Sequence, residues 1–304
     1  MNNKLALLGI VILVSGCSTL HKDGVALTSQ DIGTTIKATL PSHDRTWQKG
    51  LGVLPTAAIN GDDLKLTNVR NCRYRSEEDL DLNYYDASYK LSDLETIDFV
   101  VVPFTDAPNL AHTMLSFGFR DGRHFVISVE ARMEEGELYN PLYGALNQYE
   151  LIYVIADERD AIPLRTRIRD VDVYLFRAQT TPEGRISLLM NMLDRANGIA
   201  RRPEFYDTFT NNCTTNLVHH VNQIRPGRVP LDYRILLPAH SDRLAYNIGL
   251  IDTSLPFEEL RRRSLINRVS NLNRDAEDFS QKIRRHLELA LQSKSSTETP
   301  NIAN

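Results

Sequence analysis

The chain has 304 residues, 35 Lys and Arg against 39 Asp and Glu, and a formal net charge of −4. That balance, with no basic block, excludes a nucleic-acid-coating surface, and the length suffices for one large domain or two modest ones. Three cysteines, Cys17, Cys72 and Cys213, are too few for a disulfide framework.

Lys4 precedes an apolar run from Leu5 to Val14, followed by small residues before Cys17. Ten apolar residues are too short to span a bilayer and read as a signal peptide, residues 1–16. Leu13, Val14, Ser15, Gly16 and Cys17 resemble a bacterial lipoprotein signal. That resemblance implies a diacylated, palmitate-bearing Cys17, attachment to the membrane through that lipid and, with Ser18 following, the periplasmic face of the outer membrane. Residues 17–45 read as a lipidated tether, and a disulfide between Cys72 and Cys213 stays open in an oxidising compartment.

Turn signals at Gly50, Gly52, Pro55 and Asn60-Gly61 lead into short strands through Leu64, Leu66, Val69 and Cys72. Arg73 to Leu94 is charged and Tyr-rich; its acidic group Glu77, Glu78, Asp79 and Asp81 lacks calcium-loop spacing, so a solvated surface segment is expected. Ile97 to Phe104 reads as a strand buried on both faces. His112–Phe119 and His124–Glu130 flank Arg120-Asp121-Gly122-Arg123 as a hairpin. A two-residue loop sets His112 opposite Ala131, whereas a three-residue loop or bulge sets Glu130 on the His112 face. Tyr149–Ala156 and Val171–Phe176 read as strands separated by a charged loop, and Pro182–Ala200 as a helix. After Ile224 an irregular segment is expected to lie over the core, followed by a charged helical segment, 258–291, and a disordered tail, 292–304. Packing on the domain and contact with anionic headgroups both suit that helical segment.

The most informative stretch is Glu204 to Ile224. Asn211-Asn212-Cys213-Thr214 precedes Leu217, Val218, Val221 and Ile224 at helical spacing, which places the thiol in a first helical turn capped by Asn212. Backbone N–H groups and the positive helix end there favour a thiolate. The same groups, helped by the Asn211 or Asn212 amides and Thr214, suit an oxyanion. His219 and His220 lie six and seven residues further on, about 10 Å along the axis for the second, beyond hydrogen-bond reach. The base is therefore sought on a strand: His112 first, with His124 as reserve or orienting group, and His240 the remaining histidine able to reach. No His and Cys pair has metal-site spacing, so neither a metal nor another cofactor is expected.

Five segments in order carry a family resemblance: HTMLSFGF and FVISVEAR, YELIYVIADERD, FYDTFTNNCTTNLVHHVN, and PLDYRILLPAHSDRLAYNIGLID. Together they resemble the Lnb N-terminal periplasmic domain family, which is similar in turn to circularly permuted papain-like thiol enzymes of the NlpC and lecithin:retinol acyltransferase type. The resemblance implies an α+β fold, an antiparallel sheet packed on helices, over residues 46–257. It also implies Cys213 as nucleophile, His112 as base and Glu130 or His124 as third member. Acyl transfer or hydrolysis on a lipid or lipoprotein through an acyl-Cys intermediate follows. A cell-wall peptide amidase on the same fold, and a non-catalytic binding or assembly lipoprotein, are the alternatives. Lnb proteins carry transmembrane helices after this domain; nothing beyond Asp252 is apolar enough for a span, so a lipid-anchored domain on its own is expected.

Overall fold

A computed structural model describes residues 40–285. The signal peptide, Cys17, His21, most of the tether, His286 and the C-terminal tail lie outside the described residues. The described residues form ten strands: β1 (Thr56–Asn60), β2 (Asp63–Arg70), β3 (Arg73–Tyr74), β4 (Leu80–Asp81), β5 (Tyr84–Lys90), β6 (Leu94–Pro103), β7 (Ala111–Phe119), β8 (His124–Arg132), β9 (Glu150–Asp157) and β10 (Tyr174–Arg177). Eight form one sheet in the order β1-β2-β9-β8-β7-β6-β10, with β5 also paired to β2. Its pairings are antiparallel except β2 with β9, so the sheet is mixed at one junction rather than uniformly antiparallel.

The β7–β8 turn has three residues, Arg120-Asp121-Gly122. The Phe119 amide donates to the Arg123 carbonyl at 3.0 Å, and Gly122 sits at φ 83, a left-handed conformation that favours glycine. Gly118 consequently faces His124 and Met114 faces Ser128. Carried two residues further, the same register sets Glu130 opposite His112.

Alternation along the strands divides the core in two. On one face, Leu115, Phe117, Ile127 and Val129 pack beneath two helices, α3 (Pro182–Arg201) and α4 (Cys213–Ile224). Leu188, Leu189, Met192, Leu193, Ala196 and Ile199 form the buried stripe of α3, started by Thr181 as N-cap with Pro182 behind it. Full burial of one such Leu or Phe stabilises the fold by roughly 1.5–3 kcal/mol. On the other face, Met114, Val126 and Ile152 meet Ile162, Phe279 and Ile283. Between these faces in sequence, α1 (Pro141–Ala145) joins β8 to β9, and α2 (Glu158–Pro163) runs on into a π turn, Leu164–Ile168.

Several segments depart from the expectations. Tyr84–Lys90 is a sheet strand with Ala87 and Tyr89 buried, not a solvated segment, because Tyr and β-compatible residues alternate with its charges. The acidic residues beside it pair with arginines: Asp79 and Asp81 with Arg75, Glu77 with Arg169. The expected charged loop after β9 is α2 and the π turn, with Glu158, Asp160 and Arg165 buried. Two short helices, α5 (Tyr233–Leu236) and α6 (Ser241–Asn247), order the segment expected to be irregular, while α7 (Phe257–Ser264) and α8 (Asn267–Asn273) lie in the segment expected to be helical. The end of the expected tether is docked: His43 bonds the Ile199 carbonyl at 2.8 Å, and Arg45 pairs with Glu150 at 2.7 Å. Among the described residues no helix is long and apolar enough to cross a membrane.

The described part of the C-terminal segment packs on the sheet through Arg284, whose side chain is 3% exposed. Its guanidinium reaches Asp98 at 2.7 Å, Glu158 at 2.9 Å and the Ser116 hydroxyl at 3.2 Å. Burial alone raises the Glu158 carboxyl, but Arg284, His124 and the hydrogen bonds it accepts hold it at about 2. A depressed carboxylate adds stability that is complete above its ordinary value near 4.5 and is lost as pH falls through about 2. We expect Arg284→Ala to lower stability in urea unfolding at neutral pH by about 3–5 kcal/mol, the cost of leaving buried Glu158 without its guanidinium and Asp98 with Arg177 alone. A loss below about 1 kcal/mol contradicts that role for Arg284.

Candidate active site

Asn212 caps α4 with a reciprocal pair: its carboxamide oxygen accepts from the Thr215 amide at 2.9 Å, and the Thr215 hydroxyl accepts from the Asn212 amide at 2.9 Å. Asn216 closes the first helical bond to the Asn212 carbonyl at 3.1 Å. The Cys213 and Thr214 amides therefore stand at the helix start with no acceptor among the described residues. Cys213 is 6% exposed, and its Sγ lies 3.9 Å from the Ala111 carbonyl oxygen and 3.8 Å from the Thr214 hydroxyl. Tyr206 packs in the same cluster, its hydroxyl 3.3 Å from that of Tyr139. Burial first, then Cys213 and Tyr139, push the Tyr206 phenol far up, so it stays neutral.

The side chains expected to support an oxyanion are committed to the loop. Asn211 donates to the Phe205 carbonyl at 2.8 Å and accepts from Asn216 at 2.9 Å, and Asn212 donates to the Thr208 carbonyl at 2.6 Å. Thr214 bonds Thr113 at 3.1 Å. The anion-binding capacity at this point lies in backbone amides rather than in the Asn side chains.

Cys213 and Cys72 are both free, which removes the disulfide left open above. Cys72 is buried, its amide donating to Asp160 at 2.7 Å, and burial followed by Asp160 pushes its thiol up.

His112 is not brought to Cys213. Thr113 turns toward α4, so by strand alternation His112 turns to the opposite face of the sheet. There its Nε2 lies 2.6 Å from the Ser128 hydroxyl, which donates to Glu130 at 2.7 Å, while Arg165 donates to Glu130 at 3.0 Å. With the Ser128 hydroxyl donating to Glu130, Nε2 is the donor to Ser128, a tautomer assigned from the network. Burial, then Arg165, lower the imidazole to about 3 against the opposing pull of Glu130. Glu130 is held down by Arg165 and His112 in spite of its burial. His124 lies at the far end of the hairpin, its Nδ1 3.0 Å from the Gly122 carbonyl, beside a cavity of about 570 Å³ lined by Tyr85, Arg123 and Arg159. The expected grouping of Cys213, His112 and His124 is thus three separate places.

His240 sits at the Cys213 end of the sheet. The Ala239 amide donates to the Asn109 carbonyl at 3.2 Å, and the exposed His240 ring lies 3.2 Å from the Asn109 side-chain oxygen, two residues before Ala111. Ser128, Arg165, Asn109 and Tyr206 were missed in the sequence. Ser128 was legible, being two residues from Glu130 on the same strand face; Arg165 was hidden in a segment read as loop.

A family model for the Lnb N-terminal periplasmic domain matches residues 81–239, just over half of the chain. The chain belongs to the Lnb N-terminal periplasmic domain family. Neither curated proteins nor solved structures yield a match. The Lnb domain match runs from β4 to the turn before α6 and so contains Cys213, His112, Glu130, His124 and Asn109. It makes this a periplasmic domain.

A histidine whose folded value lies below its ordinary 6.5 binds more protons when unfolded, so its contribution is complete above 6.5 and fades as pH falls toward about 3. We expect the His112 ring resonances to stay unshifted between pH 8 and about 5 in an NMR titration, in wild type and equally in Glu130→Gln, which removes the group that raises the imidazole and leaves burial in place. Titration of wild-type His112 near 6.5 contradicts the buried cluster.

Proposed function

We propose that this Lnb-family domain is a periplasmic thiol enzyme in which Cys213 attacks an ester, thioester or amide carbonyl and carries the acyl group to an amine or to water. The observation that carries the reading is the free Cys213 sulfur at the start of α4, beside the unoccupied Cys213 and Thr214 amides. Those amides suit the oxyanion of a tetrahedral intermediate. Collapse of that intermediate expels the leaving group and forms acyl-Cys213; a second attack on this thioester releases the acyl group and restores the thiol.

The proton acceptor in this reading is His240, oriented by Asn109, and not His112. A Cys, an imidazole and an amide that orients it form a recognised nucleophilic arrangement. His112, Ser128, Glu130 and Arg165 act instead as a positioning cluster that joins β7, β8 and the π turn. A lipid or lipoprotein acyl donor, lipid attachment through Cys17, an outer-membrane location and the circularly permuted papain-like core belong to the same proposal. The family resemblance and the apolar N-terminal run before Cys17 support them.

Iodoacetamide labelling of Cys213, followed by mass spectrometry at pH 7, tests the assignment. We expect His240→Ala to slow labelling by about tenfold or more and His112→Ala to leave it within about twofold. Slowing by His112→Ala alone overturns the choice of base. Labelling of wild type no faster than that of an unfolded peptide thiol overturns the enzyme reading.

A further inference from the structure

Large apolar side chains stand exposed on two segments that flank the Cys213 end of the sheet. Leu138, Leu142 and Leu146 lie on and beside α1; Leu231, Tyr233 and Leu236 lie on and before α5. Leu138 is 85% exposed and Leu231 is fully exposed. Scattered exposed apolar residues are ordinary, but two groups at one end of a domain mark an interaction surface.

Their placement follows from the topology. The α1 segment joins the end of β8 to the start of β9, where Tyr139 meets Tyr206 beside the Cys213 loop. The α5 segment leads directly into the 238–240 turn, which is held to Asn109 just before β7. Both groups therefore border the start of β7, against which Cys213 rests. The described chain also begins at this end: the Ser42 amide donates to Glu150, the first residue of β9, at 3.1 Å, and exposed Leu40 lies just before it. The residues that precede Leu40, Cys17 among them, join the described chain at this end.

We propose that these six side chains form a rim that seats the domain on a lipid bilayer, with the Cys213 end toward the membrane. The lipid proposed above for Cys17, whose tether joins the domain at this end, selects a bilayer over other partners. The charged groups nearby are arranged against an electrostatic mode of attachment: Arg234 is paired with Asp232 at 2.6 Å, Arg45 with Glu134 at 3.3 Å, and Glu135 is exposed beside Leu138. The contact is therefore apolar, side chains entering the headgroup–acyl boundary by about 5–10 Å, and changes little with salt. The choice of a bilayer rests on the lipid attachment proposed above, and that Cys213 then meets acyl chains rests on the enzyme reading.

Tryptophan quenching on the full chain tests the rim separately from any activity. Leu142→Trp, Leu236→Trp and Arg120→Trp, the last in the hairpin turn at the opposite end, are each bound to phosphatidylethanolamine–phosphatidylglycerol vesicles with brominated acyl chains, and wild type supplies the Trp47 background. We expect the two rim positions to be quenched at least about twofold more than Arg120→Trp, with the difference kept between about 0.1 M and about 0.5 M salt. Equal quenching at all three positions, or none, overturns the proposal. Rim tryptophans that are shielded without vesicles and become exposed on dilution assign the surface to a second copy of the chain, and overturn it equally.

Discussion

The register of β7 against its neighbours is the constraint on which the site depends. A strand sends consecutive side chains to opposite faces, and a one-residue slip exchanges the two sets. The three-residue turn with Gly122 holds one register, in which Thr113 meets α4 and His112 meets Ser128 and Glu130. Cys213 and His112 are consequently neighbours of the same strand and not of each other. The chemistry proposed for Cys213 therefore draws on the β6–β7 loop and the 238–240 turn.

The His112 face is closed by charge as much as by apolar packing. Arg284 holds Asp98 and Glu158, Arg70 holds Asp160 at 2.9 Å, and Arg165 holds Glu130. Each guanidinium connects segments distant in sequence, and Asp160 adds bonds from the Cys72 amide and the Tyr74 hydroxyl. Buried pairs of this kind contribute little net stability over an apolar filling, yet leaving one member alone is costly. They thus specify which segments close over the sheet. The α3–α4 face is held by Leu, Phe and Tyr packing, by a buried hydrogen-bond chain through Tyr153, His220 and Asn191, and by the half-buried pair of Arg195 with Glu204 at 2.7 Å.

Much of the architecture was legible because its signals are local. The hairpin, the buried β6, the long helix and the Asn212 cap each follow from a few adjacent residues whose period or side-chain chemistry admits one conformation. The charges of Tyr84–Lys90 concealed a strand because they stay on its exposed positions, Asp86 beside Lys65 and Lys90 beside Asp63, while those of Glu158–Ile168 suggested a loop because the arginines that pair with Glu158 and Asp160 are distant in sequence. The choice between a two-residue and a three-residue turn was open in the sequence, and with it the partner of His112.

By itself the sequence determined that a thiol begins a capped helix, that a strand hairpin carries His112 and Glu130, and that an apolar N-terminal run precedes a cysteine. These depend on residue identity and on spacings of a few positions. Only the tertiary structure decided that Cys72 and Cys213 stay unbridged, that Arg165 faces Glu130, and that His112 turns to the face of the sheet opposite Cys213 while His240 is held to Asn109 just before β7. The reason is geometric: a strand's pleat assigns each side chain to a face, but which helix covers that face is set by packing among segments a hundred residues apart.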